Sequence, residues 1–433
     1  MRRARARSRA ALGAFTLAVA LLVAAAAWWS ARPDDASEAD ARGAAGPLVD
    51  TPDLVARGRY LALAGNCAGC HTARGGQPYA GGRAIATPFG AVTSANLTPD
   101  AATGLGRWTA RDFRRALHEG RSKDGRLLYP AFPYPNYSRV TRDDADALFA
   151  YLRSLEPVRR PQAAHELRFP FDTQAALAVW RALYFRPRHF EPDARRDAQW
   201  NRGAYLVQGL GHCSACHARR NALGATPDPL ALDGGSMPAP PWYAPSLASA
   251  AEASLAGADA DQAMRLLRDG VAAHAGVSGP MAQVVRGSTQ HLSDADLRAM
   301  VVYLQSLAPA AARKAAPAPP AIASAQGSEL YDRHCAGCHG EAGEGVPGIY
   351  PALAGNRALL LDPPANAVLI VLGGGFAPTT AGNPRPFGMP PFATVLGDAE
   401  IATLLTTLRA SFGNAGSAVS ALEVGRYRGS TGP

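Results

Sequence analysis

Three stretches of the chain carry apolar residues at helical spacing behind a polar start. The stretches begin at Thr141, Ser293 and Asp398. A side-chain oxygen at each start can accept hydrogen bonds from free helix amides, and acidic residues follow in the first turn. The apolar positions are Leu148, Tyr151, Leu152 and Leu155; Leu297, Met300, Val301 and Leu304; and Ile401, Leu404, Leu405 and Leu408. This spacing predicts three amphipathic closing helices.

A shorter helical pattern opens each repeat, at Arg57 to Leu61, Arg202 to Leu206 and Gly327 to Tyr331. Opening helix, irregular middle and closing helix predict an all-α fold built from one small domain used three times, which suits a chain of 433 residues. The predicted order is a signal peptide or membrane anchor over 1–30, domain one over 51–160, an aromatic-rich connector over 161–199, domain two over 200–308, an Ala/Pro linker over 309–325, domain three over 326–413 and a C-terminal tail over 414–433. We expect domains one and two to pack together and domain three to be more mobile, because an Ala/Pro linker is a solvated tether.

The amino terminus has the pattern of an export signal, which is either cleaved after the Ala24 to Ala27 stretch or retained as an anchor. Five arginines precede an apolar run from Ala10 to Trp29, which is roughly the length that crosses a bilayer. Basic residues before the run keep that end in the cytoplasm and send the remainder to the periplasmic side of the inner membrane. These five arginines also account for five of the net +9 charges. The remaining +4 gives no reason to expect a nucleic-acid partner.

All six cysteines fall into three copies of the pattern Cys-x-x-Cys-His. Cysteines three apart on a helical turn share one face, so both can form thioethers with one porphyrin, and the following histidine can ligate its iron. A zinc site needs four ligands in two paired groups, and redox pairs or disulfides leave the repeated histidine unexplained. The pattern therefore predicts three covalently bound haem c groups. The predicted thioether cysteines are Cys67, Cys70, Cys213, Cys216, Cys335 and Cys338, and the proximal iron ligands are His71, His217 and His339.

Two methionines are candidates for the distal iron ligand. Met389 lies 50 residues after His339 in a segment rich in Gly and Pro, and Met281 lies 64 residues after His217. Each comes just before a closing helix, and a thioether ligand raises the reduction potential of a c-type haem. Three competitors are weaker. Met264 and Met300 sit at core spacing on helices, where gap-filling is the ordinary role, and Met237 comes only 20 residues after its signature.

Domain one breaks this pattern, because no methionine occurs between Met1 and Met237. Phe132, which cannot ligate iron, stands at the corresponding place. The first haem is therefore either five-coordinate or takes His118 or His165 as a second imidazole ligand. We expect its spectrum to differ from those of the other two haems.

Several segments resemble the triheme cytochrome c subunits of membrane-bound bacterial dehydrogenases. The resemblance rests on the three signatures, Gly203 to Val207, Ser288 to Ser293 and Asn383 to Pro391. It implies three tandem cytochrome c-type haem domains and an electron carrier docked on a separate catalytic subunit, which is a quinoprotein, a flavoprotein or a molybdenum hydroxylase. Ala131 to Tyr134 is most similar to the cytochromes paired with molybdenum hydroxylases such as nicotinate dehydrogenase, so that partner is favoured.

The function expected from these features is electron transfer from the partner dehydrogenase to ubiquinone, a small cytochrome or a terminal oxidase. The sequence offers no dinucleotide fingerprint, nucleophile elbow or zinc-protease motif, so we do not expect the chain itself to be an enzyme. Two alternatives stay open. One is a haem enzyme or small-ligand sensor that uses an open first haem, and the other is the cytochrome subunit of a terminal oxidase.

Overall fold

The computed structural model describes residues 48–238, 241–273, 275–309 and 319–430. Helices dominate, as the all-α prediction requires. The α-helices are Pro52–Ala64, Cys67–His71, Ala110–Glu119, Tyr134–Tyr137, Arg142–Arg153, Gln174–Tyr184, Ala198–Gln208, Ser214–His217, Ala260–Asp269, Gly279–Gly287, Asp294–Gln305, Ala325–His334, Ala336–His339, Arg357–Leu360, Ala365–Gly373, Asp398–Ala410 and Ala421–Arg428, with a 3-10 turn at Thr289–His291.

The strands are short and form small antiparallel sheets. Ala84–Thr87, Gly90–Thr93 and Glu166–Leu167 make one sheet of three strands. The other described strands pair two by two, as Gly235–Ser236 with Tyr243–Ala244, Val271–Ala272 with Ala275–Gly276, and Gly375–Phe376 with Gly388–Met389. These pairs shape the loops between the helices and build no continuous sheet.

Opening and closing helices cross at a glycine in the first two repeats. A Cβ added at Gly58 would lie 1.8 Å from the carbonyl oxygen of Ala147, and one at Gly203 would lie 1.9 Å from that of Ala299. No other residue allows two helix backbones to approach this closely. The crossing therefore fixes the opening helix, and with it the start of the signature that follows.

The third repeat crosses in a similar way but against a side chain. A Cβ added at Gly327 would lie 1.9 Å from Oγ1 of Thr407 on the closing helix Asp398–Ala410. The Thr407 Cβ would lie 2.6 Å away as well, and rotation of the hydroxyl does not move that atom. The third crossing therefore also requires glycine.

An ion pair accompanies the crossing in the first two repeats. Arg57 Nε donates to Asp144 Oδ1 at 2.9 Å, and Arg202 holds both oxygens of Asp296 at 2.7 Å. The third repeat has Gln326 at the position before its glycine. Repeats one and two therefore share a charged contact, whereas the third repeat has an uncharged glutamine in place of the arginine.

Side-chain caps start two of the closing helices as the sequence predicts. Thr141 accepts from the amide of Asp144 at 3.3 Å, and Ser293 accepts from that of Asp296 at 3.2 Å. The third helix differs, because its N-cap is Gly397 and not Asp398. The carboxylate of Glu400 accepts from the Gly397 amide at 2.8 Å, so the capping group comes from inside the helix.

The chain folds into two compact units. The first contains the described residues 48–59, 71–190 and 222–225. Much of the connector packs here: Phe171 stacks on Phe89 with ring centroids 4.1 Å apart, and Phe185 meets the buried ring of Tyr134 edge-on at 4.7 Å. Aromatic packing thus makes the connector part of this unit as far as Phe190.

The second unit contains residues 60–70, 191–221 and the described residues from 226 onward. The third repeat lies in it together with the second. Tyr243 N donates to Asn366 Oδ1 at 2.9 Å, Asn366 Nδ2 donates to the Tyr243 carbonyl at 2.8 Å, and Leu361 and Ala365 pack beside the Tyr243 ring. The third domain, which we expect to be more mobile, contacts the second through this pair of hydrogen bonds and its apolar cluster.

The C-terminal segment continues the fold of the third repeat. The helix Ala421–Arg428 buries Val424 in the same apolar cluster as Ile401 and Leu405. The guanidinium of Arg409, which is completely buried, donates to the Ser417 carbonyl at 2.7 Å and to the Asp362 carboxylate at 2.7 Å. Residues 414–430 therefore close the third core, where the sequence suggested only a tail.

Over the residues that the structure describes, no helix combines the length and apolar character needed to span a bilayer. The predicted signal or anchor over 1–30 lies outside the described residues.

Candidate haem sites

Each Cys-x-x-Cys-His signature forms a single helical turn. In the second and third copies the histidine amide donates to the carbonyl of the first cysteine, at 2.8 Å for His217 to Cys213 and 3.0 Å for His339 to Cys335. The first copy is the short helix Cys67–His71. Both cysteines of a copy therefore project from one turn, with the imidazole beside them.

The six cysteines are free thiols and form no disulfide. Burial raises the pKa of Cys67 and of Cys213 to about 12, and that of Cys335 to about 11. These thiols stay protonated at neutral pH, and a protonated thiol reacts slowly. Burial therefore disfavours the reactive thiolate at the first cysteine of each signature.

Each signature histidine is oriented by a backbone carbonyl. Nδ1 of the ring faces a carbonyl oxygen from a loop that follows the signature. The three contacts are His71 to Ala95 at 2.7 Å, His217 to Pro245 at 2.7 Å and His339 to Pro351 at 2.9 Å.

These contacts decide which nitrogen can bind a metal ion. Burial lowers the pKa of His71, His217 and His339 below the usual imidazole value, and the carbonyl contact offsets only part of that effect. The rings are therefore neutral at physiological pH. Because Nδ1 donates its proton to the carbonyl, Nε2 keeps a lone pair with which it could ligate a metal ion.

The carbonyl acceptors are residues that sequence reasoning missed. They lie 24, 28 and 12 residues after their histidines, so no fixed spacing reveals them. A weak signal exists, because each acceptor begins a tripeptide that ends in leucine: Ala95-Asn96-Leu97, Pro245-Ser246-Leu247 and Pro351-Ala352-Leu353. Aligning the three repeats on this tripeptide would have found it.

Met389 lies on a short strand, where the sequence suggested a loop. It pairs with Gly375, and its side chain packs against the apolar cluster that contains Cys335. Gly374 has φ +63°, and a Cβ there would lie 2.4 Å from the Met389 carbonyl oxygen. Two glycines thus bring this strand close enough to hold Met389 beside the core of the third repeat.

Met281 lies inside the helix Gly279–Gly287, which precedes the closing helix as the sequence predicts. Gly279 starts that helix with φ +55°, and a Cβ there would lie 2.8 Å from the Trp242 ring. Two of the three competing methionines are core residues, because Met264 is 5% and Met300 4% exposed. Met281 and Met237 are both half-buried, and Met281 stays the candidate because it comes just before the closing helix.

The cytochrome c family model matches residues 55–156, 201–308 and 324–409, and each matched segment contains one signature. Together the three segments cover more than half of the chain. The chain belongs to the cytochrome c family.

Relatives of this cytochrome are named as subunits of dehydrogenases. It is 41% identical to a nicotinate dehydrogenase subunit of Pseudomonas putida over 83% of this chain, and spans 30% of that protein's length. It is 37% identical to the cytochrome c subunit of a quinone alcohol dehydrogenase of Gluconacetobacter polyoxogenes, covering 89% of this chain and 87% of the relative. A gluconate 2-dehydrogenase cytochrome c subunit of Pantoea cypripedii is also 37% identical, over 87% of this chain and 89% of the relative.

These findings confirm the predicted family, the covalently bound haem c and the electron-transfer role. The relatives are named as cytochrome subunits, which agrees with the expectation that the chain is not the catalytic subunit. The donor set of the cytochrome fits the cofactor, because each signature offers two thiols on one turn and an imidazole whose Nε2 is free to bind.

The loop of the first repeat carries an aromatic cluster where the other repeats carry methionine. The ring of Phe132 is half-buried and lies 5.3 Å from that of Tyr137. Tyr134 beside them is completely buried. The cytochrome therefore packs this segment with rings and offers no thioether.

The two histidines proposed as alternative ligands differ in their surroundings. Nδ1 of His165 accepts from the Thr93 amide at 3.1 Å, so the proton of the neutral ring sits on Nε2 and neither nitrogen has a lone pair left for iron. This contact argues against His165. His118 lies on the helix Ala110–Glu119 with its ring 6.4 Å from that of His189, and it stays the histidine candidate.

The second repeat carries a carboxylate near its proximal histidine. Glu252 accepts from the Tyr243 hydroxyl at 2.8 Å and from the Ser246 amide at 2.6 Å, next to the carbonyl of Pro245 that orients His217. Burial lowers the pKa of His217, and the negative charge of Glu252 offsets a small part of that effect. Glu252 therefore belongs to the surroundings of the second haem site.

Proposed function

We propose that this cytochrome is the triheme electron-transfer subunit of a dehydrogenase complex on the periplasmic side of the inner membrane. The observation that carries the proposal is the histidine–carbonyl contact, which recurs beside all three cysteine pairs. One such site could be incidental to a helical turn. Three with the same tautomer support three haem domains in series.

When bound, haem c supplies one-electron redox chemistry at its iron. The six signature cysteines hold the three groups covalently, and Nε2 of His71, His217 and His339 ligates their irons. Met281 and Met389 supply the distal thioethers of the second and third sites. The first site is proposed to lack a thioether, because Phe132 occupies the corresponding loop.

The partner proposed is a molybdenum hydroxylase. Two observations support it: the 41% identity to the nicotinate dehydrogenase subunit, and the segment Ala131 to Tyr134 with phenylalanine where methionine is usual. A quinoprotein or flavoprotein partner is the alternative, since the alcohol and gluconate dehydrogenase cytochromes match a larger share of their own length.

The downstream acceptor proposed is ubiquinone, a small cytochrome or a terminal oxidase. The arginine-flanked apolar run Ala10 to Trp29 supports membrane attachment, with the haem domains outside the cytoplasm.

Purification of the complex from membranes tests the proposal. The full chain, carrying a C-terminal tag, is extracted in mild detergent, and its haem content, bound proteins and molybdenum content are measured. Three haems for each chain and a co-purifying molybdenum subunit, whose substrate reduces the haems, are the expected result. A flavin or quinone subunit would correct the partner. Rapid peroxide turnover by the purified chain without any partner would replace the carrier role with that of a haem enzyme.

A further inference from the structure

Residues 60–70, which include both cysteines of the first signature, belong to the second compact unit. The Tyr60 hydroxyl donates to Asp296 Oδ2 at 2.6 Å and accepts from the Ser293 amide at 3.2 Å. Further along, the buried hydroxyl of Ser288 donates to the Ala64 carbonyl at 2.9 Å. Polar contacts therefore hold the segment before the first signature to the closing helix of the second repeat and the turn ahead of it.

The Tyr60 contact has an ionised acceptor. Asp296 is 8% exposed, and its two oxygens are held by Arg202 at 2.7 Å each. Burial and the hydrogen bond to Asp296 raise the pKa of Tyr60, so the phenol stays protonated and donates. Hydrogen bonds to charged groups contribute more than neutral ones, and this one joins residues 236 positions apart.

Close packing continues from Tyr60 to the turn before Cys67. Asn66 has φ +48°, and a Cβ added at Gly287 would lie 2.5 Å from its Oδ1. A Cβ added at Gly65 would lie 3.5 Å from Leu210 Cδ2, next to the turn that enters the second signature. The turn into signature one thus rests on residues of the second repeat that lie around signature two.

We propose that Tyr60 is a positioning residue, whose hydroxyl bound to Asp296 seats the first signature beside the second so that the haems attached there interact as a pair. The inference rests on the covalent haem attachment proposed above. Tyr60 touches no reacting atom, and it acts through the end of its helix and the turn at Gly65 and Asn66 that lead to the short helix with Cys67 and Cys70.

The test compares Tyr60→Phe with Tyr303→Phe in the full chain with its haems attached. The Tyr303 hydroxyl accepts from Gln208 Nε2 at 2.9 Å, which joins the opening and closing helices within the second repeat. Both variants remove one hydroxyl and keep the ring. Haem content is measured first, followed by amide exchange, Soret circular dichroism and potentiometric titration of both.

For Tyr60→Phe we expect three haems for each chain and about tenfold faster amide exchange at Gly65 and Asn66, the loss expected for one charge-assisted hydrogen bond. We also expect a weaker Soret couplet and a smaller influence of one haem's reduction on its neighbour's potential. Tyr303→Phe should leave the couplet and the potentials unchanged. An unaltered couplet with faster exchange in Tyr60→Phe would overturn the proposal, and so would an equal loss of couplet in both variants.

If Tyr60→Phe assembles fewer than three haems, Ser288→Ala takes its place, because it removes the contact to the Ala64 carbonyl further along the same segment. The same readouts and the same two overturning results apply. Fewer than three haems in the unaltered chain would instead count against the proposed function.

Discussion

The first and third repeats hold their signature histidines in nearly the same way and differ in what faces them. Nδ1 of His71 lies 2.7 Å from a carbonyl, and that of His339 lies 2.9 Å from one. In the third repeat a paired strand then presents Met389. In the first, the corresponding segment contributes Phe132 to an aromatic cluster.

This difference shows that the two sides of a haem site are specified separately. The proximal side depends on a helical turn and a backbone carbonyl, and both repeats supply them. The proposed distal side depends on one side chain, which lies on a short strand in the third repeat and in a loop in the first, so it can change without altering the opening and closing helices. Variants of the two sides should therefore have separable effects.

The largest expected effect comes from removing a distal thioether. We expect Met389→Ala to lower the potential of one haem by on the order of 0.2 V, because axial ligands span roughly 0.8 V. The near-infrared sulfur-to-iron band should lose intensity as well. Phe132→Ala is the matched change in the first repeat, and it should leave this band intact. A redox titration with near-infrared spectra measures both, and an unchanged potential in Met389→Ala would remove that residue as the ligand.

The next largest effect is expected from Gly→Ala substitutions at the helix crossings, which should lower the free energy of unfolding. Gly58→Ala and Gly203→Ala each force a Cβ to within 2 Å of a helix carbonyl, so we expect a loss of about 3 kcal/mol from overpacking. Gly327→Ala meets Oγ1 and Cβ of Thr407 at 1.9 and 2.6 Å and should lower the free energy of unfolding by a similar amount. Gly373→Ala is the control, because its Cβ would meet nothing within 4 Å. Urea unfolding of the four variants measures these losses, and a loss at the crossings no larger than that of Gly373→Ala would contradict the prediction.

A smaller change in reduction potential, in the opposite direction, is expected when a methionine is introduced into the first repeat. Phe132→Met should raise the potential of the first haem by about 0.1 V and add a sulfur-to-iron band, if the loop presents its side chain as the third repeat does. Phe169→Met places the same side chain at a position that is 82% exposed and should change neither. A Phe132→Met spectrum identical to the control would show that the aromatic loop points its side chain elsewhere.

The smallest expected effect is a loss of stability at acid pH, in which the second repeat should differ from the third. Burial alone would raise the pKa of Asp296, but hydrogen bonds from Arg202 and Tyr60 outweigh it and hold the value below normal. A carboxyl whose folded pKa is depressed contributes stability above its unfolded pKa of about 3.9, and the contribution is lost as the pH falls through the folded value. The third repeat has Gln326 in place of the arginine.

Asp296→Asn should therefore cost about 1 kcal/mol near neutral pH and nothing at strongly acidic pH. Urea unfolding at several pH values, followed by a probe on the second repeat, measures this difference. A cost that stays constant down to acid pH would assign the contact to shape and not to charge.

Sequence alone predicted the parts of the fold that depend on local patterns. The closing helices, the caps at Thr141 and Ser293 and the single-turn signatures follow from spacing and side-chain chemistry, and the structure has them. The cap of the third closing helix was wrong, because Glu400 reaches back to Gly397 and replaces a cap on Asp398.

Features that depend on contacts between distant residues could not be read in this way. The strand that carries Met389 exists because Gly375 lies opposite, and the Tyr243–Asn366 contact joins residues 123 positions apart. The candidate haem sites combine features of both kinds, those set by a local pattern and those set by contacts between distant residues. Their cysteines and histidines follow from a five-residue pattern, while the carbonyls that orient the histidines are supplied by loops of unequal length.

Those carbonyls have a consequence for how the protein can evolve. An acceptor on the main chain is present whatever the side chain, so substitutions at positions 95, 245 and 351 need not disturb the imidazole as long as the loop keeps its path. The residues found there, one alanine and two prolines, show that freedom within a single molecule. Selection that acts on the electronic properties of the iron would then conserve the path of each loop and not its residue types. A comparison of residue identities at these positions would therefore understate how strictly the function is maintained.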